Sequence, residues 1–84
     1  MKFRTKSGST YEVESHALLS DPPQERHRVR MLVEGNTRGG KHKRPIGAEW
    51  VDCTSVSVVI GRPAVIHRAN NNKPVVTNDV EETW

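Results

Sequence analysis

The residues with the clearest chemical potential in this chain are arginines and lysines gathered in one central segment. Seven of the 13 basic residues lie between Arg26 and Arg44, where Glu34 is the single acid, so six basic residues face nine acids elsewhere. Guanidinium and ammonium groups bind carboxylates and phosphates through charge-assisted hydrogen bonds. We therefore expect a binding surface made of Arg26, Arg28, Arg30, Arg38, Lys41, Lys43 and Arg44.

Two classes of macromolecule carry the anionic groups that this surface would bind. We favour an acidic protein partner, which would be a different protein or another copy of the chain bound through its acidic end at Asp79, Glu81 and Glu82. The alternative is nucleic acid, bound non-specifically at its phosphates and therefore with a steep dependence on salt. No aromatic residue lies between Arg26 and Arg44, so the stacking platform typical of single-strand binding is missing. The explanation without a binding function is that the arginines only protect an exposed strand from aggregation.

The histidines and the cysteine give little support to catalysis or metal binding. A catalytic histidine with Glu12 or Glu49 and an arginine would leave no local signature. Cys53 has no basic neighbour in the sequence to lower its pKa, so we predict a buried apolar side chain. We expect a protein that is not an enzyme, with no catalytic residue, metal or cofactor. No two of the four histidines have the spacing of metal ligands: His16, His27, His42 and His67.

Length and composition predict one small domain that spans residues 1–84. With 84 residues, 33% of them hydrophobic and 5% aromatic, the chain has a small core, and self-association would help to stabilise it. A single cysteine cannot form an intramolecular disulfide, which favours a reducing compartment. The first residues lack the apolar core of a signal peptide, and no run approaches the roughly 18 apolar residues that span a bilayer.

Alternation of apolar and polar residues predicts β-strands from the first residues onwards. Phe3 and Tyr11 belong to the two arms of a hairpin around Gly8. A three-residue loop, Lys6-Ser7-Gly8, with Gly8 in the left-handed conformation, places Phe3 opposite Tyr11. The neighbouring register, with the loop at residues 7–9, places Phe3 opposite Val13 and stays open.

The strand that carries the first three arginines has two chemically distinct faces. Val29, Met31 and Val33 share one parity, and the arginines share the other with Leu32. At a rise of about 3.3 Å per residue, the arginine Cα atoms repeat about every 6.6 Å. This predicts a row of guanidinium groups on one side of a sheet.

The remaining segments complete a small all-β fold. Val56, Val58 and Ile60 recur at every second position, which predicts a further strand, and residues 64–68 are predicted to pair with residues 75–77. Loops that we expect to be mobile cover about residues 15–25, around Pro22-Pro23, and residues 34–48. The acidic end at residues 78–84 is predicted to be solvated, with Val80 and Trp84 as anchors. Five to six short strands favour a small antiparallel sheet or partly open barrel of the SH3-like or OB-like size class.

Several blocks of the chain resemble small uncharacterised β-rich proteins encoded by bacteriophages of actinobacteria. The blocks are residues 1–13, Arg28-Val29-Arg30, Glu49-Trp50, residues 61–66 and Val75-Val76-Thr77. The loop at Pro22-Pro23 and the basic segment depart from that group. The resemblance implies a phage protein that acts in the host cytoplasm or in the virion, and it implies no particular activity.

Overall fold

The predicted all-β architecture is confirmed by the structure, a computed structural model that describes residues 1–18, 22, 24–35 and 45–84. Every strand is antiparallel to the strands beside it in the chain, and β6 also pairs with β1, so that one sheet closes in a ring. The sequence predicted a sheet or a partly open barrel, and closure is the feature that alternation alone did not reveal. The six strands are β1 Lys2–Thr5, β2 Thr10–Leu18, β3 Gln24–Val33, β4 Val51–Ser57, β5 Pro63–Arg68 and β6 Val75–Thr83.

The opening hairpin has the three-residue loop predicted from parity. Phe3 lies opposite Tyr11, which excludes the alternative register with Val13. Thr5 N–H donates to the Ser9 carbonyl at 2.9 Å and closes the loop. Gly8 has a φ of 88°, a left-handed conformation that glycine adopts without steric cost. The turn therefore sets which β2 side chains face the interior.

The core fills the inside of the ring and is centred on the aromatic pair of the first hairpin. The Phe3 and Tyr11 rings stack with centroids 4.9 Å apart and an interplanar angle of 17°. Both side chains are buried, so neither offers a surface for stacking a ligand. The buried hydrophobic residues are Phe3, Tyr11, Val13, Val29, Met31, Ile46, Cys53, Ala64, Ile66, Val75 and Val80.

The predicted loop over residues 15–25 is wrong at both ends. β2 continues to Leu18 and β3 begins at Gln24, and these two residues form the last pair of a long ladder. Proline removes a hydrogen-bond donor only at its own position. The ladder therefore continues almost to Pro22-Pro23, and the predicted loop includes too many of the neighbouring residues.

The acidic C-terminal end is a strand of the ring and not a solvated tail. Glu82 pairs with Arg4 at 2.7 Å, and Asp79 pairs with Lys6 at 3.6 Å, so β1 and the turn after it already bind these acids. Val80 is 1% exposed and anchors the strand as predicted. Trp84 is 54% exposed, so its prediction as an anchor is wrong.

β4 differs from the predicted strand because its ladder with β5 is irregular. The register shifts between Cys53 and Ser55, and such a bulge changes which side chains face inwards. Cys53 is buried, and Val56 and Val58 are half-buried and pack against the core, whereas Ile60 beyond the strand is 60% exposed. β5 and β6 pair as predicted, with Ile66 opposite Val75.

The basic segment is held at both ends by residues that the sequence assigns to a loop. Residues 36–44 lie outside the described part of the chain. Before them, Gly35 N–H donates to Ser9 Oγ at 3.1 Å. After them, Ile46 is buried with 1% exposure, and the Gly47 carbonyl accepts from Met31 N–H at 2.7 Å. Residue 35 therefore lies beside the β1–β2 turn, and residue 46 lies in the core.

Gly35 is the position where an added methyl group should do most damage. A Cβ at this residue would lie 2.5 Å from Ser9 N and would also collide with the Ser7 carbonyl oxygen. We expect Gly35→Ala to lower the free energy of unfolding in urea by about 1–3 kcal/mol, because backbone must move. Gly47→Ala is the control, since its Cβ would meet nothing within 4 Å, and a change within about 0.5 kcal/mol is expected. Equal effects of the two changes would contradict the close packing of Gly35 against the backbone of Ser7 and Ser9.

Candidate binding face

The first three arginines of the predicted site lie on the outer side of β3. Val29 and Met31 face the core, so Arg26, Arg28 and Arg30 have the opposite parity, as the alternation predicts. The structure therefore brings these three together in a row. The other four residues of the predicted site, Arg38, Lys41, Lys43 and Arg44, lie outside the described residues.

Two of the arginines are paired with carboxylates directly across the sheet. Glu12 lies opposite Arg30, and Glu14 lies opposite Arg28 on β2. Arg30 donates to Glu12 Oε1 from Nε at 2.8 Å, and its Nη2 forms an ion pair with the same oxygen at 2.7 Å. Arg28 donates to Glu14 Oε2 from Nε at 2.8 Å and also from Nη2. Exposed ion pairs contribute only about 0–1 kcal/mol each, so their main effect is to hold the guanidinium planes in place.

Trp50 supplies the aromatic surface that sequence reasoning missed. Arg28 Cζ lies 4.3 Å from its ring centroid and Arg30 Cζ lies 4.5 Å away, both within cation–π distance. The pairing of Val51 with Val29 brings Trp50, one residue earlier, beside the arginine row. Its side chain is half-buried and belongs to the surface, not to the core. The basic segment itself contains no aromatic residue, whereas strand pairing supplies one from beyond it.

Glu12, Glu14, Arg28, Arg30 and Trp50 form one connected group, which we call the Arg/Trp cluster. Each guanidinium binds its carboxylate through Nε and Nη2, and neither Nη1 pairs with a carboxylate of the described residues. On the β4 side, Asp52 lies opposite Arg28 and adds a third acid. The described part of this face therefore alternates in sign, with further N–H donors left to bind a partner.

Arg26 differs from the other two arginines of the row. It lies opposite His16, where its neighbours lie opposite glutamates. Both side chains are exposed, and neither makes a side-chain hydrogen bond or ion pair with a described residue. The row thus contains two arginines with carboxylate partners and one without.

Cys53 on β4 lies opposite His27 on β3, a position that alternates with those of the arginine row. Cys53 is 2% exposed, as predicted, and its thiol donates to the Val51 carbonyl at 3.3 Å. Burial raises the pKa of this thiol, Asp52 raises it further, and the positive charge of Arg68 lowers it. His27 Nδ1 lies 2.6 Å from Ser15 Oγ, and in the described residues no carboxylate hydrogen-bonds this imidazole. These contacts describe a buried thiol and a surface hydroxyl–imidazole pair.

Known proteins supply no independent clue to what this face binds. Comparison with protein family models, curated proteins and solved structures finds no match to this chain. Within residues 1–18, 22, 24–35 and 45–84, no three histidine, cysteine or acidic side chains are grouped to hold a metal ion. The same residues contain no helix long and apolar enough to cross a membrane.

The contact between Arg28 and Trp50 should be measurable as a coupling energy. In a double-mutant cycle with Arg28→Met and Trp50→Leu, we expect a coupling of about 0.5–1 kcal/mol in urea denaturation. Trp84→Leu is the control, because Trp84 also lies at the surface and, among the described residues, no arginine lies over its ring. A coupling of the same size with Trp84 would show that the distance from Arg28 to Trp50 has no energetic meaning.

The buried thiol should react slowly while the protein is folded. A raised pKa keeps the thiol protonated, and burial blocks access, so a disulfide reagent such as DTNB should modify Cys53 far more slowly in buffer than in urea. The folded protein keeps this proton at a pH where the unfolded chain loses it. The free energy of unfolding should therefore fall as the pH rises above about 9.0. Fast modification in buffer at neutral pH would contradict the buried position.

Proposed function

We propose that this protein is a non-enzymatic binding module whose β3 face and following basic segment engage an acidic protein partner. The observation that carries the proposal is that Arg28 and Arg30 lie against Trp50 on the outer surface, each held by a carboxylate. Tryptophan and arginine are among the residue types that contribute most to protein interfaces. Side chains already held in place lose less conformational entropy on binding, which favours affinity.

The alternation of charge supports a protein partner over nucleic acid. Glu12, Glu14 and Asp52 lie directly across from arginines on this face. A protein can place its own carboxylates on the arginines and its own cations on the acids. A phosphate backbone has one sign of charge throughout, so these acids would repel it. Nucleic-acid binding is therefore the alternative that the experiment below must distinguish from protein binding.

The basic segment adds long-range attraction to this face. Arg38, Lys41, Lys43 and Arg44 follow β3 with no acid among residues 36–44. Concentrated charge of one sign raises the rate of association with a partner of the opposite sign. An acidic protein would therefore be attracted by the segment and positioned by the Arg/Trp cluster.

The partner is better sought in another protein than in a second copy of this one. Self-association through the acidic end would need Asp79 and Glu82 to leave Lys6 and Arg4 of their own chain. Following the resemblance to phage proteins, we propose a protein of an actinobacterial host or a virion subunit. The host cytoplasm or the virion is the corresponding location.

Affinity capture tests the proposal with variants matched in charge. We expect the wild-type protein to retain a defined partner from a nuclease-treated actinobacterial lysate, or from purified virions. Arg28→Gln with Arg30→Gln, and separately Trp50→Leu, should lose most of that partner, since each removes a central interface residue.

The control is Arg4→Gln with Lys6→Gln, which also removes two paired cations, but from β1 and the turn that follows it. This variant should retain the partner. Equal loss in both double variants would mean that net charge alone causes binding. Retention that disappears with nuclease, together with direct binding of DNA or RNA at low salt, would replace the proposal with nucleic-acid binding.

A further inference from the structure

The outer face of β2 and β3 contains a regular series of cross-strand pairs that changes at its third member. Glu12 with Arg30 and Glu14 with Arg28 are acid–base pairs, and two residues further along each strand the pair is His16 with Arg26. Oppositely charged residues directly across an antiparallel ladder attract each other. Arg26 is therefore the arginine of the row that has no carboxylate opposite it.

Arg26 also lies at the side of a cleft, which gives a ligand space to reach it. The described pairs between β3 and β4 end at His27 opposite Cys53, and the two strands then diverge. The space between them is an open cleft of about 400 Å³ lined by residues 24–26, residues 52–54 and Ala69. A volume of this size lies within the range of ligand-binding clefts.

A second guanidinium belongs to a residue that pairs with the wall of this cleft across the β4–β5 ladder. Arg68 is opposite Cys53 in the β4–β5 ladder, and Cys53 lines the cleft. Arg68 Nε is the one buried side-chain nitrogen or oxygen in the described residues that has no hydrogen-bond partner. Its positive charge adds to that of Arg26 and favours an anionic group at this end of the sheet.

We infer that Arg26, with His16 opposite it, is a subsite for a single carboxylate side chain carried by an extended segment of the protein partner. This inference rests on the proposed function and assigns one arginine of the row to direct contact. The neighbouring pairs show the geometry, because Arg28 and Arg30 each bind a carboxylate that comes from the strand alongside. Glu25 and Asp52 in the walls of the cleft repel anions, and this repulsion is stronger for a chain of phosphates than for a single carboxylate.

An acidic peptide probe tests the subsite by NMR. The probe is acetyl-Ser-Thr-Glu-Thr-Ser-amide, with the glutamine analogue as its control, titrated into the protein labelled with ¹⁵N. We expect the glutamate peptide to shift the Arg26 side-chain Nε–H and the His16 backbone signals, and the glutamine peptide to leave them unchanged. Arg26→Gln should weaken binding by about tenfold, the effect of losing one charge-assisted hydrogen bond.

His16→Glu is the decisive variant because it completes the series of acid–base pairs. The introduced carboxylate would lie opposite Arg26 as Glu14 lies opposite Arg28, and it should displace the peptide with a loss similar to that of Arg26→Gln. His16→Gln supplies no carboxylate and should bind within about twofold of wild type. Both positions are exposed, so we expect these variants to fold like the wild type. The urea midpoint of each variant checks this. Unchanged binding in His16→Glu would overturn the inference.

Two further outcomes separate this inference from the proposed function. If the wild-type protein shows no response to the glutamate peptide, the subsite is overturned, while loss of a captured partner in Trp50→Leu would still support the binding module. If a ten-nucleotide DNA shifts Arg26 and the peptide does not, phosphate and not carboxylate is the ligand, which also overturns it.

Discussion

The register of β2 against its two neighbours is the constraint on which the rest of the molecule depends. Side chains alternate between faces, so a shift of one residue would exchange the core with the surface. The Gly8 turn pairs Phe3 with Tyr11, and the β2–β3 ladder pairs Val13 with Val29. Once these pairs face inwards, the arginines of β3 must face outwards. The same ladder then places glutamates of β2 across from them, so packing of the core and arrangement of the charged face have one cause.

Closure of the ring changes what the charged residues can do. β6 uses its acids to pair with the first hairpin, where Arg4 and Lys6 meet Glu82 and Asp79. Those acids are therefore less available to bind the arginine row of another copy. On the opposite side of β1, β2 supplies its glutamates to β3. The charge that the sequence shows as a basic centre and an acidic end is, in the described part of the folded chain, largely arranged in neighbouring pairs.

Alternation predicted a three-residue hairpin loop, with two registers left open, and the outward row of arginines, because both follow from the period of two within a strand. It did not predict the glutamate partners or Trp50, because these depend on which strands become neighbours and in what register. Ile46 was missed for a related reason: one apolar residue in a polar segment has no periodic signal, yet it is buried. At Pro22-Pro23 the predicted loop was too long. Prolines interrupt a strand only locally, and the flanking residues of β2 and β3 remain paired. Arg38, Lys41, Lys43 and Arg44 lie outside the described residues, so their place in the binding site rests on the sequence alone.

The claim that the outer face of β3 binds a protein is tested most directly by photo-crosslinking from that face. Leu32 is the next residue of the arginine row and is 41% exposed, and Val76 on β6 is 60% exposed. A benzophenone amino acid would replace either residue, and the protein would be irradiated in nuclease-treated host lysate or with virions. We predict one discrete protein adduct from position 32 and none from position 76. An adduct of equal yield from both positions, or adducts with nucleic acid alone in untreated lysate, would contradict the account.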